Sequence, residues 1–227
     1  MLLAAGCAGP LSTLDPAGPA AERVATLWWV MLAGATLVTL GVTALALWPF
    51  RKRHEGGEVS TRLHLWGGGL VLPLTVLSAL LLYAFALEWR AHGVFEDRLE
   101  EDRPTESLRV KAVARQWHWG FSYPDAPDGP RQSRGTLHIP AGRSVEVAIT
   151  SHDVIHSFWV PRLAGKRDAI PGRINTLTIV ADRPGSYGGV CSEFCGEGHA
   201  GMSFTVEAHA LEDFDAAMRR LAREARP

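Results

Sequence analysis

The sequence predicts two membrane-spanning α-helices followed by an all-β sandwich. Three observations carry that prediction: two long runs without a charge, period-two alternation from about Thr105 onward, and turn residues at short spacing. Val24 to Phe50 contains no Asp, Glu, Lys or Arg, and neither does Leu65 to Leu87. A helix of ~20 apolar residues spans the hydrocarbon core, so each run is long enough to cross a bilayer. The chain average hides both runs: charged residues are 21% of the 227 and the net charge is −1.

In order along the chain, residues 1–22 read as a leader, 23–95 as the two-helix membrane hairpin, 104–210 as the sandwich and 211–227 as a terminal helix. The leader is rich in Pro, Gly, Ala and Ser and is expected to lack regular structure. Its opening, Met1-Leu-Leu-Ala-Ala-Gly-Cys7, resembles the end of a bacterial lipoprotein signal, which implies a lipid on Cys7. Against it, alanine stands three residues before Cys7 and no basic region precedes it, leaving an inert thiol as the alternative.

The first helix carries Trp28 and Trp29 near one end and Trp48 near the other, where the half-buried ring suits the interface. The loop that follows carries Arg51, Lys52, Arg53 and Arg62 against Glu55 and Glu58. An excess of Lys and Arg in a short loop marks the cytoplasmic side, so both termini and the sandwich are expected to face outward. Pro73 is expected to bend the second helix or to need a neighbour for the freed carbonyl. Glu96 to Arg103 is dense in mixed charge and reads as a linker.

Beyond it, Leu108, Val110 and Ala112 alternate with Arg109 and Lys111, and Val145, Val147 and Ile149 alternate about Glu146. Leu177 and Ile179, then Phe204 and Val206, repeat the pattern among Thr, Ser and Glu. Alternation of this kind argues half-buried strands, and Pro- and Gly-bearing turns at 124–130, 140–142, 171–172 and 184–185 divide them. Leu211 to Arg226 shows apolar residues near helical spacing. No basic tract interleaved with aromatics occurs, which argues against a nucleic-acid partner.

The chemistry concentrates in Cys191-Ser-Glu-Phe-Cys195-Gly-Glu-Gly-His199-Ala-Gly-Met202. Thiolate, imidazole and thioether together select copper over magnesium or calcium. A single blue-copper ion needs one cysteine, two histidines and a weak methionine; here a second cysteine allows two thiolates to bridge two copper ions. A further histidine must come from elsewhere, and His156 in Ser151-His-Asp-Val-Ile-His156-Ser-Phe-Trp is the candidate. The bland alternatives are a Cys191–Cys195 disulfide, which an oxidising compartment permits, and a satisfied core histidine at 156.

That loop, with Asp153-Val-Ile-His156-Ser, Lys166-Arg-Asp-Ala-Ile-Pro-Gly-Arg173 and Gln116-Trp-His-Trp119 followed by Phe121 and Tyr123, resembles subunit II of bacterial cytochrome c oxidases. The resemblance runs from about Ala25 to Val206 and implies a cupredoxin-like sandwich with a binuclear CuA centre. It implies Cys191 and Cys195 as bridges, and His156 and His199 as terminal ligands. It implies Met202 and the main-chain carbonyl of Glu193 as the remaining ligands. It further implies that the Glu193 side chain meets a magnesium or manganese ion shared with subunit I, and that Asp168 and Arg173 lie near that subunit's haem propionates. Trp117 is implied as the exposed ring through which an electron arrives from cytochrome c. Spacing alone leaves open which of Trp117 and Trp119 is exposed. Asp125 and Asp128 are candidates for docking a basic cytochrome c, with a solvated turn as the alternative.

Where many relatives carry a glutamate at the start of the second helix, this chain reads Ser60-Thr-Arg-Leu-His64-Leu-Trp66, with Glu58 the nearest carboxylate. A quinol oxidase subunit II would keep hairpin and sandwich but should have lost the cysteines and His199. A copper chaperone of thioredoxin type would need alternating helices and strands, and a purely structural membrane protein would bind no copper. No Cys-x-x-Cys-His occurs, so the electron donor is expected to be a separate carrier. Together these readings make the chain an inner-membrane, multi-pass, electron-accepting subunit that hands electrons to subunit I, where dioxygen is reduced and protons are pumped.

Overall fold

The computed structural model describes residues 7–51, 62–101, 108–126, 129 and 131–224. The chain divides into two compact units: Thr26–Arg103, and Pro104–Pro227 together with the residues up to Ala25.

Thr26–Arg103 is helical throughout its described residues, which belong to α1 (Pro19–Arg51), a π-helical segment (Leu63–Val71) and α2 (Leu72–Glu101). Pro19–Trp48 and Leu65–Ala86 are each long and apolar enough to cross a membrane. Their side chains point outward, with Leu37 74% and Leu45 73% exposed, an apolar surface that suits lipid better than water. The disturbance expected of Pro73 takes a specific form. Pro73 lies two residues after the π-helical turns end at Val71, and Leu72 N–H still bonds Gly67 O, five residues back. Thr75 Oγ1 donates to Val71 O (2.8 Å), the carbonyl four residues back along the same helix. The expected linker from Glu96 continues as helix to Glu101, because Glu, Asp, Arg and Leu are compatible with helix and no proline intervenes until Pro104. Of the basic loop, Lys52, Arg53, Glu55 and Glu58 lie outside the described residues, as does Ser60.

The second unit is a two-sheet sandwich. One sheet comprises β1 (Leu108–Arg115), β2 (His118–Tyr123), β3 (Arg131–Arg134), β5 (Val145–Ser151) and β8 (Asn175–Ile179), in the order β3-β2-β1-β5-β8. The other comprises β4 (Thr136–Pro140), β6 (His156–Trp159), β7 (Arg167–Ala169), β9 (Gly185–Cys191) and β10 (Ser203–His209), in the order β4-β10-β9-β6-β7. The β1–β5 and β10–β4 pairs are parallel; the other strand pairs are antiparallel. The alternation read from sequence sets the faces: Val110, Ala112, Val145, Val147, Ile149 and Val206 are all fully buried. α3 (Leu211–Glu224) follows, burying Ala217, Met218 and Leu221 at the three- and four-residue spacing of one helix face.

One end of the core is aromatic. Phe204 stacks on Phe158 (centroids 4.7 Å) and lies 5.5 Å from Trp119 and 5.6 Å from Phe121. Buried rings of this size contribute about 1.5–3 kcal/mol each. Gly189 makes room for them, since a Cβ there would sit 2.3 Å from the Phe204 ring.

As expected, residues 7–18 of the leader form turns and bends with no helix or strand, but they strap onto the sandwich before α1 begins at Pro19, inside the expected leader. Pro10 O accepts Gly188 N–H (3.3 Å), Ala17 N–H bonds Arg162 O (2.7 Å), and Asp182 N–H bonds Ala17 O (2.9 Å). Arg162 pairs with Asp15 at 2.8 Å and lies over the Tyr187 ring. Gly18 permits the approach, because a Cβ there would meet Val180 O at 2.3 Å. Small residues that look like a flexible tether are therefore those that let backbone pack on backbone.

Candidate metal centre

The donor residues converge on one end of the sandwich. His156 opens β6, Cys191 ends β9, and the loop between them and β10 carries Cys195, His199 and Met202. Backbone bonds fix that loop: Cys191 N–H to Met202 O (2.9 Å), Ser192 N–H to Ser157 O (2.9 Å) and His199 N–H to Gly196 O (3.1 Å). A 3-10 turn, His199–Gly201, then returns the chain to β10.

His156 Nδ1 lies 3.7 Å from Cys191 Sγ, which lies 3.8 Å from Cys195 Sγ. Cys195 Sγ is 3.6 Å from His199 Nδ1 and 3.7 Å from Met202 Sδ. The Glu193 carbonyl is 3.3 Å from Cys191 Sγ. Both cysteines are free thiols, which corrects the disulfide alternative. Cys191, Cys195 and Met202 are buried, and His156 is fully so.

His156, Cys191 and Cys195 offer donor atoms all within 4.8 Å of one another. Metal–sulfur bonds of ~2.3 Å and metal–nitrogen bonds of ~2.0 Å at tetrahedral angles put neighbouring donors roughly 3.5–3.8 Å apart. The observed spacings match, so these residues fit a thiophilic metal, and the soft donor set fits copper. Burial, then the adjacent Cys191, pushes the Cys195 thiol up to about 11. The metal-free Cys195 therefore keeps its proton at neutral pH, and a bound cation must displace it.

Sequence reasoning did not single out the groups that hold the ligands. Asp153 Oδ1 lies 2.9 Å from His156 Nε2, and Asp153 Oδ2 accepts Gln116 N–H at 2.7 Å. Burial alone would raise the Asp153 carboxyl, but the Gln116 and Val154 amides and the His156 ring hold it well below the usual carboxylate range. An ionised carboxylate only accepts, so Nε2 carries the hydrogen, and Nδ1 faces the Cys191 thiol. The three-residue spacing of Asp153 and His156 was the available signal.

Trp117 is 42% exposed while Trp119 is fully buried, which settles the choice that spacing left open. The Trp117 ring covers Gly198, where a Cβ would lie 2.4 Å from it. Its Nε1 donates to Cys195 O (3.2 Å), as does Gln116 Nε2 (2.9 Å). The Glu193 side chain turns outward, its Oε2 3.8 Å from Lys166 Nζ. Asp168 accepts Ser157 Oγ at 2.8 Å, and Arg173 is exposed. Asp125 is exposed in the turn after β2; Asp128 lies outside the described residues.

Fold and site together define a membrane-anchored β-sandwich with a cysteine-rich group able to hold a metal ion at one end. Residues 132–209 match the family model for the periplasmic domain of cytochrome c oxidase subunit II. Cytochrome c oxidase subunit 2 of Alkalihalophilus pseudofirmus is 30% identical over 98% of this chain and 66% of its own length. A quinol oxidase subunit 2 of Bacillus cereus is 27% identical over 95% of this chain and 74% of its own. The crystal structure of the periplasmic domain of subunit II of cytochrome oxidase (CoxB) of Bradyrhizobium japonicum superposes with a TM-score of 0.50 at 29% identity, covering 53% of this chain and 97% of that one. The chain belongs to the cytochrome c oxidase subunit II family of haem–copper oxidases. It spans 66% of the Alkalihalophilus relative's length and 61% of that of a maize one.

Proposed function

We propose that this chain is the electron-accepting subunit of a cytochrome c oxidase, holding two copper ions as a CuA centre and passing electrons to haem in subunit I. The observation that carries this reading is the row of donors His156 Nδ1, Cys191 Sγ, Cys195 Sγ and His199 Nδ1, each 3.6–3.8 Å from the next, with Met202 Sδ beside Cys195. A copper-free quinol oxidase subunit has no use for two buried thiols and a thioether placed this way. The likeness to quinol oxidase subunits is consistent with a shared scaffold.

When bound, copper supplies a one-electron store that changes charge without changing ligands. The residues supply the rest. The sandwich and the bonded loop hold the donors still, which keeps reorganisation small. Trp119, Phe158 and Phe204 keep water from one side of His156. Trp117 offers a half-exposed ring bonded directly to the carbonyl of a bridging cysteine, a short route from a docked cytochrome c to the metal site. On the other flank Phe194, 77% exposed, stands edge-on to His199, and Glu193 points outward as a ligand for a magnesium or manganese ion shared with subunit I. The two apolar helices anchor the chain in the inner membrane, with both termini and the sandwich on the periplasmic side. Dioxygen reduction and proton pumping belong to subunit I.

Copper content and an electron paramagnetic resonance spectrum of the full chain test this reading. Two coppers sharing one unpaired electron are expected; one copper with a single-centre signal, or none after reduction and reconstitution, overturns it.

A further inference from the structure

The donor residues come from separate pieces of chain at one end of a single sheet, in which β6 pairs with β9. His156 follows the β5–β6 connection, while Cys195 lies in the β9–β10 loop. A metal can join them only after both are in place. In the copper-free chain the β6–β9 pairing and the Ser192 N–H to Ser157 O bond hold the strands in register, and the turn between β1 and β2, from the other sheet, bonds both to the β5–β6 connection and to the β9–β10 loop.

Two residues of this region make the link. The Asp153 carboxylate accepts from His156 Nε2 with one oxygen (2.9 Å) and from the Gln116 backbone N–H with the other (2.7 Å). The same oxygen that meets His156 accepts Val154 N–H (2.7 Å) and Ser151 Oγ–H (3.3 Å). Bonds to both of its oxygens orient the carboxylate between His156 and Gln116. Gln116 then reaches the other way: its Nε2 donates to Cys195 O at 2.9 Å, beside the Trp117 indole on the same carbonyl. A continuous path runs from one imidazole through Asp153 and Gln116 to a cysteine of the loop.

We propose that Asp153 and Gln116 are positioning residues that brace the metal centre before metal arrives. Asp153 sets the His156 tautomer with Nδ1 free for metal, and Gln116 ties that half of the site to Cys195 and Trp117. The metal-binding role rests on the copper reading above; the brace itself is a property of the copper-free chain. Asparagine cannot replace Asp153 in both contacts. If its amide oxygen stays on His156, its NH2 faces the Gln116 N–H; if it flips, the NH2 faces the His156 N–H.

The test uses the full chain in detergent, copper-free and then competed for Cu(I) against a chelator. Asp153→Asn is expected to lower Cu(I) affinity about 10- to 100-fold, the usual cost of losing a partner behind a metal-ligating imidazole. In the copper-free chain, 15N spectra should show the His156 proton moved to Nδ1, or the Gln116 amide should exchange about tenfold faster. A merely structural Asp153 would lower thermal stability but leave the imidazole tautomer, the amide and the affinity of the folded fraction unchanged, and that result overturns the proposal. Should Asp153→Asn not fold, Gln116→Leu decides: it is expected to speed exchange at Gly196 to His199 and at the Trp117 indole, and unchanged rates there sink the brace. If the native chain takes up no copper, the copper reading fails, while the tautomer and exchange readouts still judge the brace.

Discussion

The Trp117 indole Nε1 donates to the main-chain oxygen of Cys195 across 3.2 Å, so a half-exposed aromatic ring is bonded to the residue whose thiol sits at the centre of the donor row. Surface and metal site are thereby joined through one side chain and one peptide, and variants at either end have distinguishable effects.

Trp117→Leu removes both the ring and the bond but none of the donors. Copper content should stay at the native level while oxidation of cytochrome c by the assembled oxidase slows by at least tenfold. Stopped-flow traces with reduced cytochrome c measure it, and an unchanged rate moves the point of electron arrival elsewhere.

Cys191→Ser and Cys195→Ser replace a soft thiolate by a hard hydroxyl of similar size. Each should lose the shared-electron copper signal and abolish cytochrome c oxidation, while far-ultraviolet circular dichroism of the sandwich stays native. Full activity in either variant contradicts the copper reading.

Gly189→Val drives a branched side chain into the space of the Phe204 ring, which a Cβ alone would approach to 2.3 Å. Overpacking of this kind costs about 1–3 kcal/mol. Thermal unfolding of the chain should show the loss, and Phe204→Leu in the same chain should recover part of it.

The strap is tested at Gly18. A side chain there meets the Val180 and Leu163 carbonyls at 2.3 and 2.9 Å, so Gly18→Leu should lift the segment from the sandwich. Limited proteolysis before Pro19 is expected to become much faster than in the native chain, and equal rates would show that the strap does not depend on this contact.

Tyr123 provides a pH test away from the metal centre. Burial raises its phenol from 10.0 to about 12, and its oxygen accepts the His138 N–H at 2.6 Å. A folded-state value above the unfolded one means that the folded chain holds the proton more tightly. The stabilisation is complete below pH 10 and is lost as pH rises towards 12. Alkaline denaturation of the native chain should steepen through that window, and Tyr123→Phe should flatten it.

What the sequence determined by itself was whatever depends on local pattern. Two charge-free runs specify membrane helices because unpaired charge in hydrocarbon is costly. Alternation at Val110, Val147 and Val206 specifies strands and their inward faces, and the crowding of Cys191, Cys195, His199 and Met202 into one loop names the donors. Tertiary structure decided what depends on residues distant in the chain. It chose Trp117 over Trp119 as the exposed ring, since Trp117 sits in the β1–β2 turn while Trp119 lies on the face of β2 that the second sheet covers. It turned the leader into a strap, because backbone-to-backbone bonds at Ala17 and Gly188 leave no trace in side-chain composition. It also revealed Asp153 and Gln116 as partners of His156 and Cys195, because a hydrogen bond across 79 residues, such as Gln116 to Cys195, exists only once the fold has closed the distance.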